Sequence, residues 1–193
     1  MSNARSIGWT GSRRLDEATA DLLAKPRVPV DLGQITGALI QIQSAVLASR
    51  DVTIILASHD LTMSADLVPG LFVLGTEDMV ESVTENLIDN AVSFAPPESE
   101  ILVHLARDGR FAHLTVSDQG PGVPAEQLEG IFERYYVKRD AEASNEPGQN
   151  HFGIGLSIAR RNVEAMGGTI AAQNRIPHGL AVHVRLPLAP GGD

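Results

Sequence analysis

Apolar residues at Met79, Val80, Val83, Leu87 and Ala91 recur at spacings of three and four. Such a stripe predicts a helix over 76–94 that turns one face to a core. Thr76 supplies its N-cap, Glu77 and Asp78 sit in the first turn where the helix dipole favours acids, and Ala95-Pro96-Pro97 stops it. A helix from Asp31, as cap, to about Ser49 carries Leu32, Ile35, Leu39, Ile42 and Val46 as its stripe. Another opens at Gly153-Ile154-Gly155-Leu156, buries Leu156, Ile158, Ala159, Val163 and Met166, and ends at Gly167-Gly168. Between the helices lie β-rich runs at Val52–Ala57, Leu71–Leu74, Ile101–Ala106, Phe111–Ser117, Thr169–Gln173 and Ala181–Leu186. The Asp108-Gly109 turn makes a hairpin of the third and fourth. A polar loop is expected between the first two runs, and a short helix over Ala125–Glu133.

From Val137 to Phe152 the apolar period lapses, and a connection this long is more often a lid or a binding loop than a spacer. Residues 1–30 read as a tail, in which prolines end any helix begun around Arg13–Ala24. Residues 31–188 read as one domain, and 189–193 as a second tail. The mixture predicts an α+β fold: a two-layer α/β sandwich with a mostly antiparallel mixed sheet and helices on one face.

Composition narrows the function. Acidic side chains outnumber basic ones by 24 to 15, giving a net charge of -9 that argues against nucleic acid or an anionic membrane as the main partner. With no cysteine, disulfides, thiolate chemistry and Cys-based zinc sites are excluded, and a reducing cytoplasm is compatible. No apolar run approaches the ~18–20 residues of a membrane span, and no signal peptide opens the chain, so a soluble domain is expected. Met1-Ser2-Asn3-Ala4 reads as a cloning remnant ahead of a piece of a longer protein.

Asn86 and Asn90 are four apart and share a helix face. Taken alone the pair reads as solvated or cap-bonded asparagines more readily than as a ligand site. Gly153 and Gly155 lie at a helix N-terminus, where free N–H groups and the positive dipole end favour an anion. Asp118 leaves a strand for a Gly-Pro-Gly turn, where it can accept from a ligand amino group or simply shape the turn. Arg134, Lys138 and Arg139 add positive charge suited to polyphosphate or to a solvated face. Neither a P-loop nor a Rossmann fingerprint is present.

In order, Asn86-Leu87-Ile88-Asp89-Asn90-Ala91, Asp118-Gln119-Gly120-Pro121-Gly122, Ile131-Phe132-Glu133-Arg134-Tyr135-Tyr136 and Gly153-Ile154-Gly155-Leu156-Ser157-Ile158 resemble the N box, first glycine box, F box and second glycine box of bacterial sensor histidine kinases. The resemblance runs from about Asp31 to Pro187 and identifies the chain with the catalytic, ATP-binding domain of that family, whose Bergerat-type fold is shared with gyrase, MutL and the large heat-shock ATPase. It implies ATP and Mg²⁺ as cofactors, with Asn90 on the metal and Asn86 beside it. Asp118 is implied at the adenine amino group, and Gly120 and Gly122 around that pocket. Gly153, Ile154, Gly155 and Leu156 are implied at the phosphates, Phe132 at the start of the lid, and Arg134 and Lys138 as nearby cations.

The implied reaction is transfer of the γ-phosphate to a histidine on a dimerisation domain that this chain lacks, for relay to a response-regulator aspartate. The full-length protein is then expected to be membrane-bound in many relatives. Arg13-Arg14-Leu15-Asp16 fits the end of the missing helical hairpin. None of the histidines at 59, 104, 113, 151, 178 and 183 lies in a phosphoacceptor motif. Asn86 stands where the superfamily's ATPases carry a glutamate base, which favours transfer over hydrolysis, and Glu85 is about 100° away around the helix. Ser93 replaces a cationic residue common in the N box, and Asn150-His151-Phe152 replace glycines. Those departures keep a second reading open, a degenerate kinase-like domain that docks proteins or senses nucleotide without transfer.

Overall fold

A computed structural model describes residues 25–48, 61–134, 136 and 153–190. The expected strand at 52–57, the helix around 13–24, Lys138 and the 137–152 connection lie outside them.

The elements in order are β1 (Val28–Asp31), α1 (Leu32–Ala48), β2 (Thr62–Leu67), β3 (Phe72–Gly75), α2 (Glu77–Phe94), β4 (Glu100–Asp108), β5 (Phe111–Ser117), α3 (Gly155–Ala165), β6 (Thr169–Asn174) and β7 (Leu180–Pro187). Five strands form one sheet in the order β2-β4-β5-β7-β6, antiparallel except for the parallel β2/β4 pair. β1 and β3 make a separate antiparallel pair.

Alternation along the strands decides which face the helices cover. Ile101, Val103 and Leu105 of β4, Ala112, Leu114 and Val116 of β5, and Val182, Val184 and Leu186 of β7 are buried. The residues between them, among them His104, His113, Thr115, His183 and Arg185, point the other way and are partly or largely exposed. On the covered side α2 buries Met79, Val80, Val83, Leu87, Ile88 and Ala91. Each such side chain contributes about 1.5–3 kcal/mol relative to exposure. The two-layer sandwich with helices on one face is therefore the observed fold.

Both expected caps form. Asp31 Oδ1 accepts from the Gln34 amide at 3.1 Å, and Thr76 Oγ1 accepts from the Met79 amide at 3.2 Å. Other features differ from the sequence pattern. β2 forms within the stretch expected as a polar loop, because β4 supplies a complete parallel partner to an otherwise unremarkable Thr-Met-Ser-Ala-Asp-Leu run. Val28 lies in a strand completed by β3, and Ala189 is buried, donating to the Phe72 carbonyl at 2.7 Å. The helix expected over Ala125–Glu133 is instead two single 3₁₀ turns, Ala125–Gln127 and Gly130–Phe132.

Candidate functional site: a helix face between two glycine turns

α2 and α3 run antiparallel. Met166, just past the end of α3, meets Gly75 ahead of α2, while Gly155 at the start of α3 meets Asn86 in the middle of α2. The contact at Gly155 is intimate: a Cβ there would lie 2.7 Å from Asn86 Oδ1. The amide of the same Asn86 donates to the Ser82 carbonyl at 2.6 Å, which fixes the carboxamide with its oxygen toward α3.

Two turns further along the same helix face is Phe94, whose carbonyl lies 2.5 Å from where a Gly120 Cβ would be. Thus α2 touches one glycine-rich segment at Asn86 and the other at Phe94, eight residues apart, or about 12 Å along the axis. Asn90 is midway on that face. It is half-buried, and its carboxamide makes no hydrogen bond to another described residue. A half-buried carboxamide left open in this way is available to a ligand.

Asp118 is 3% exposed. Its Oδ1 accepts from the Gly120 amide at 2.7 Å and the Leu180 amide at 3.2 Å. Burial pushes the carboxyl above the usual carboxylate range, and the amides of Gly120 and Leu180 and the Arg175 charge pull it back. Oδ2 receives no hydrogen bond from a described residue and suits an external donor. The turn after Asp118 is held from outside. Arg175 Nη1 donates to the Asp118 carbonyl at 2.8 Å, and the Asn174 carboxamide both accepts from the Val123 amide at 2.9 Å and donates to the Val123 carbonyl at 2.6 Å. Gly122, at φ +71°, turns where a side chain would strike Asn174. Gly179 is equally confined, since a Cβ there would run into the Asp118 carbonyl.

Asn174, Arg175, Gly179 and Leu180 escaped the sequence reading because they stand more than 50 residues from Asp118. The β5/β7 and β6/β7 pairings bring them to it.

Of the other candidates, Phe132 is buried at 3% exposure, Leu156 is buried, and Ile154 and Gly155 are half-buried at the start of α3. Gly153, at φ +61°, packs against the Tyr136 backbone, so the chain on either side of 137–152 comes together there. Arg134 is exposed beside this junction. Ser93, at the position of the missing cation, donates to the Asp89 carbonyl of its own helix at 2.6 Å. Glu85 is on the exposed face of α2, where partial burial and the charges of Asp89 and Glu81 raise its carboxyl above the ordinary value.

Residues 75–190 match the family model described as histidine kinase-, DNA gyrase B-, and HSP90-like ATPase. The chain belongs to this family. Its members' nucleotide-binding fold is the one seen here, and ATP binding is the property that unites them. The sensor protein ChvG of Rhizobium meliloti (strain 1021) is 34% identical over 175 residues, which is 84% of this chain and 29% of that protein. The sensor protein PfeS of Pseudomonas aeruginosa is 40% identical over 112 residues, 58% of this chain and 24% of that protein. A solved mycobacterial sensor histidine kinase, MprB, superimposes with a TM-score of 0.67 at 25% identity, covering 85% of this chain and 99% of that structure. The chain thus spans less than a third of the curated relatives it matches. The resemblance to sensor-kinase catalytic domains is borne out, and no helix among the described residues is long and apolar enough to cross a membrane.

Proposed function

We propose that this chain binds Mg²⁺-ATP between its two glycine turns and transfers the γ-phosphate to a histidine of a dimerisation domain, for relay to a response-regulator aspartate. The observation that carries the reading is the α2 face that runs from Gly155 at Asn86, past the open Asn90, to Gly120 at Phe94. On it, an adenine amino group donates to Asp118, and phosphates lie near Gly155 at the start of α3, where N–H groups and the dipole favour negative charge.

A magnesium ion suits this face. Asn90 would offer it a neutral carboxamide oxygen, with Asn86 beside it, and the ion, which keeps waters and phosphate oxygens around it, would neutralise charge on the phosphates. Asn86 cannot take a proton from water, and its amide is already committed to Ser82. Transfer to a neutral imidazole needs no such base, because positioning and charge neutralisation suffice. The domain works in the cytoplasm, where ATP and response regulators are found, within a full-length protein that can be membrane-anchored.

The Ser93 hydroxyl, turned into its own helix, is the observation that favours a docking module without transfer. Incubation with γ-labelled ATP, Mg²⁺ and a histidine-bearing dimerisation domain separates the two. Acid-labile, base-stable label on the second protein, lost in Asn90→Ala, is the expected result. Nucleotide binding without any such label would favour the docking module.

A further inference from the structure

We infer that Arg160 is a positioning residue that locks the Phe132 turn to α3 and thereby sets the phosphate end of the site. The inference rests on the nucleotide-binding reading above. Arg160 lies on α3, one and a half turns after Gly155. Its Nη1 donates to Glu129 Oε1 at 2.6 Å, at the head of the 3₁₀ turn that carries Phe132, and its Nε donates to Glu164 Oε1 at 3.0 Å on its own helix. The guanidinium also lies 5.9 Å from the centre of the buried Phe132 ring.

The Arg160–Glu129 pair spans 31 residues of chain, whereas the Arg160–Glu164 pair spans four. Only the first ties separate segments together. Glu164 serves to aim the guanidinium, since its oxygen takes Nε and leaves Nη1 directed at Glu129. The two carboxylates raise the Arg160 pKa further, so it stays charged. An isolated exposed pair contributes little, but a guanidinium shared between two carboxylates and an aromatic ring is a network. The segments it joins are those that carry Gly153–Leu156 and Phe132.

Calorimetric titration with a non-hydrolysable ATP analogue and Mg²⁺, together with amide exchange read by mass spectrometry, tests this on the intact chain. Arg160→Ala and Glu129→Ala should each weaken binding about three- to tenfold, and the double variant no further than the weaker single one. Arg160→Lys should recover part of the loss. Glu164→Ala should matter less, because it removes only the aiming contact. Exchange in free Arg160→Ala should quicken over 129–134 and 155–159 while 118–123 keeps its protection.

Additive losses, undiminished affinity in Glu129→Ala, or equal loosening of 118–123 would overturn the positioning role. Glu129 is an exposed side chain, so its variant folds and keeps the test decisive. Failure of the unmutated chain to bind the analogue would instead overturn the nucleotide-binding reading, and this inference with it. Exchange in the free variants would still report whether the latch itself exists.

Discussion

Asp118, in the turn whose Gly120 meets the end of α2, and Asn90, on α2 itself, are held in opposite ways. Asp118 is fixed by backbone amides on both sides, its own turn and the start of β7, and its carbonyl is gripped by Arg175. Asn90 is half-buried on the α2 surface with its carboxamide unbonded among the described residues, one turn after the Asn86 that α3 packs against. One end is built by strand pairing, the other by helix packing. Recognition of a flat base needs fixed atoms, while phosphates can be met by a helix end that shifts slightly. The two ends should therefore fail differently when altered.

The largest effect is expected at the strand-built end. Asp118→Ala removes the acceptor proposed for the adenine amino group and the bonds that shape the turn, and should cost about tenfold to a hundredfold in affinity for an ATP analogue, with lost preference for adenine over guanine. A variant that still prefers ATP to GTP would break the comparison at this end. At the helix-built end, Gly155→Ala places a methyl group 2.7 Å from Asn86 Oδ1. Alanine favours helix, so the fold should hold while affinity falls about fivefold. Unchanged binding with unchanged melting would show that the Asn86 contact is not part of the site.

A smaller effect should come from Asn162, fully buried on α3 with neither carboxamide atom hydrogen-bonded among the described residues. An unpaired buried amide costs about 1–3 kcal/mol, so Asn162→Leu should raise the melting temperature by a few degrees without loosening the Asp118 turn. An unchanged or lower melting temperature would show that removing the buried amide brings no net gain at this site.

The smallest effect is in pH. Burial raises the Asp118 carboxyl, so acidification should weaken adenine binding at a higher pH than an ordinary aspartate would, and Asp118→Asn should flatten that part of the profile. For stability the sign reverses. The folded protein favours the protonated carboxyl, so this group's contribution is greatest at low pH. It declines as pH rises from the ordinary aspartate value through the raised folded one. A wild-type profile that matches Asp118→Asn would remove the carboxylate from the contact.

The helix-built end was legible in the sequence because its information is local. Asn86 and Asn90 sit four apart, Gly155 opens an amphipathic helix, and Thr76 caps another. At the strand-built end only Asp118 and its glycines showed. The clamp of Asn174, Arg175 and Leu180 is made by the registers of β7 with β5 and with β6, which no local pattern specifies. β2 was missed for a related reason: it is an edge strand whose partner, not its own alternation, makes it a strand. The short helix expected at 125–133 became two 3₁₀ turns, with Gly130 and the buried Ile131 and Phe132 forming the second.

Under the proposed function a magnesium-bound triphosphate lies along α2 with Asn90 at its phosphates. Calorimetric titration of the intact chain with a non-hydrolysable ATP analogue, with and without Mg²⁺, beside Asn90→Ala, addresses it directly. Saturable binding that strengthens with Mg²⁺ in the unmutated chain, and an Asn90→Ala variant that loses that increment while melting normally, is the predicted result. Equal affinity of the two proteins at every Mg²⁺ concentration, or no binding at millimolar nucleotide, would contradict it.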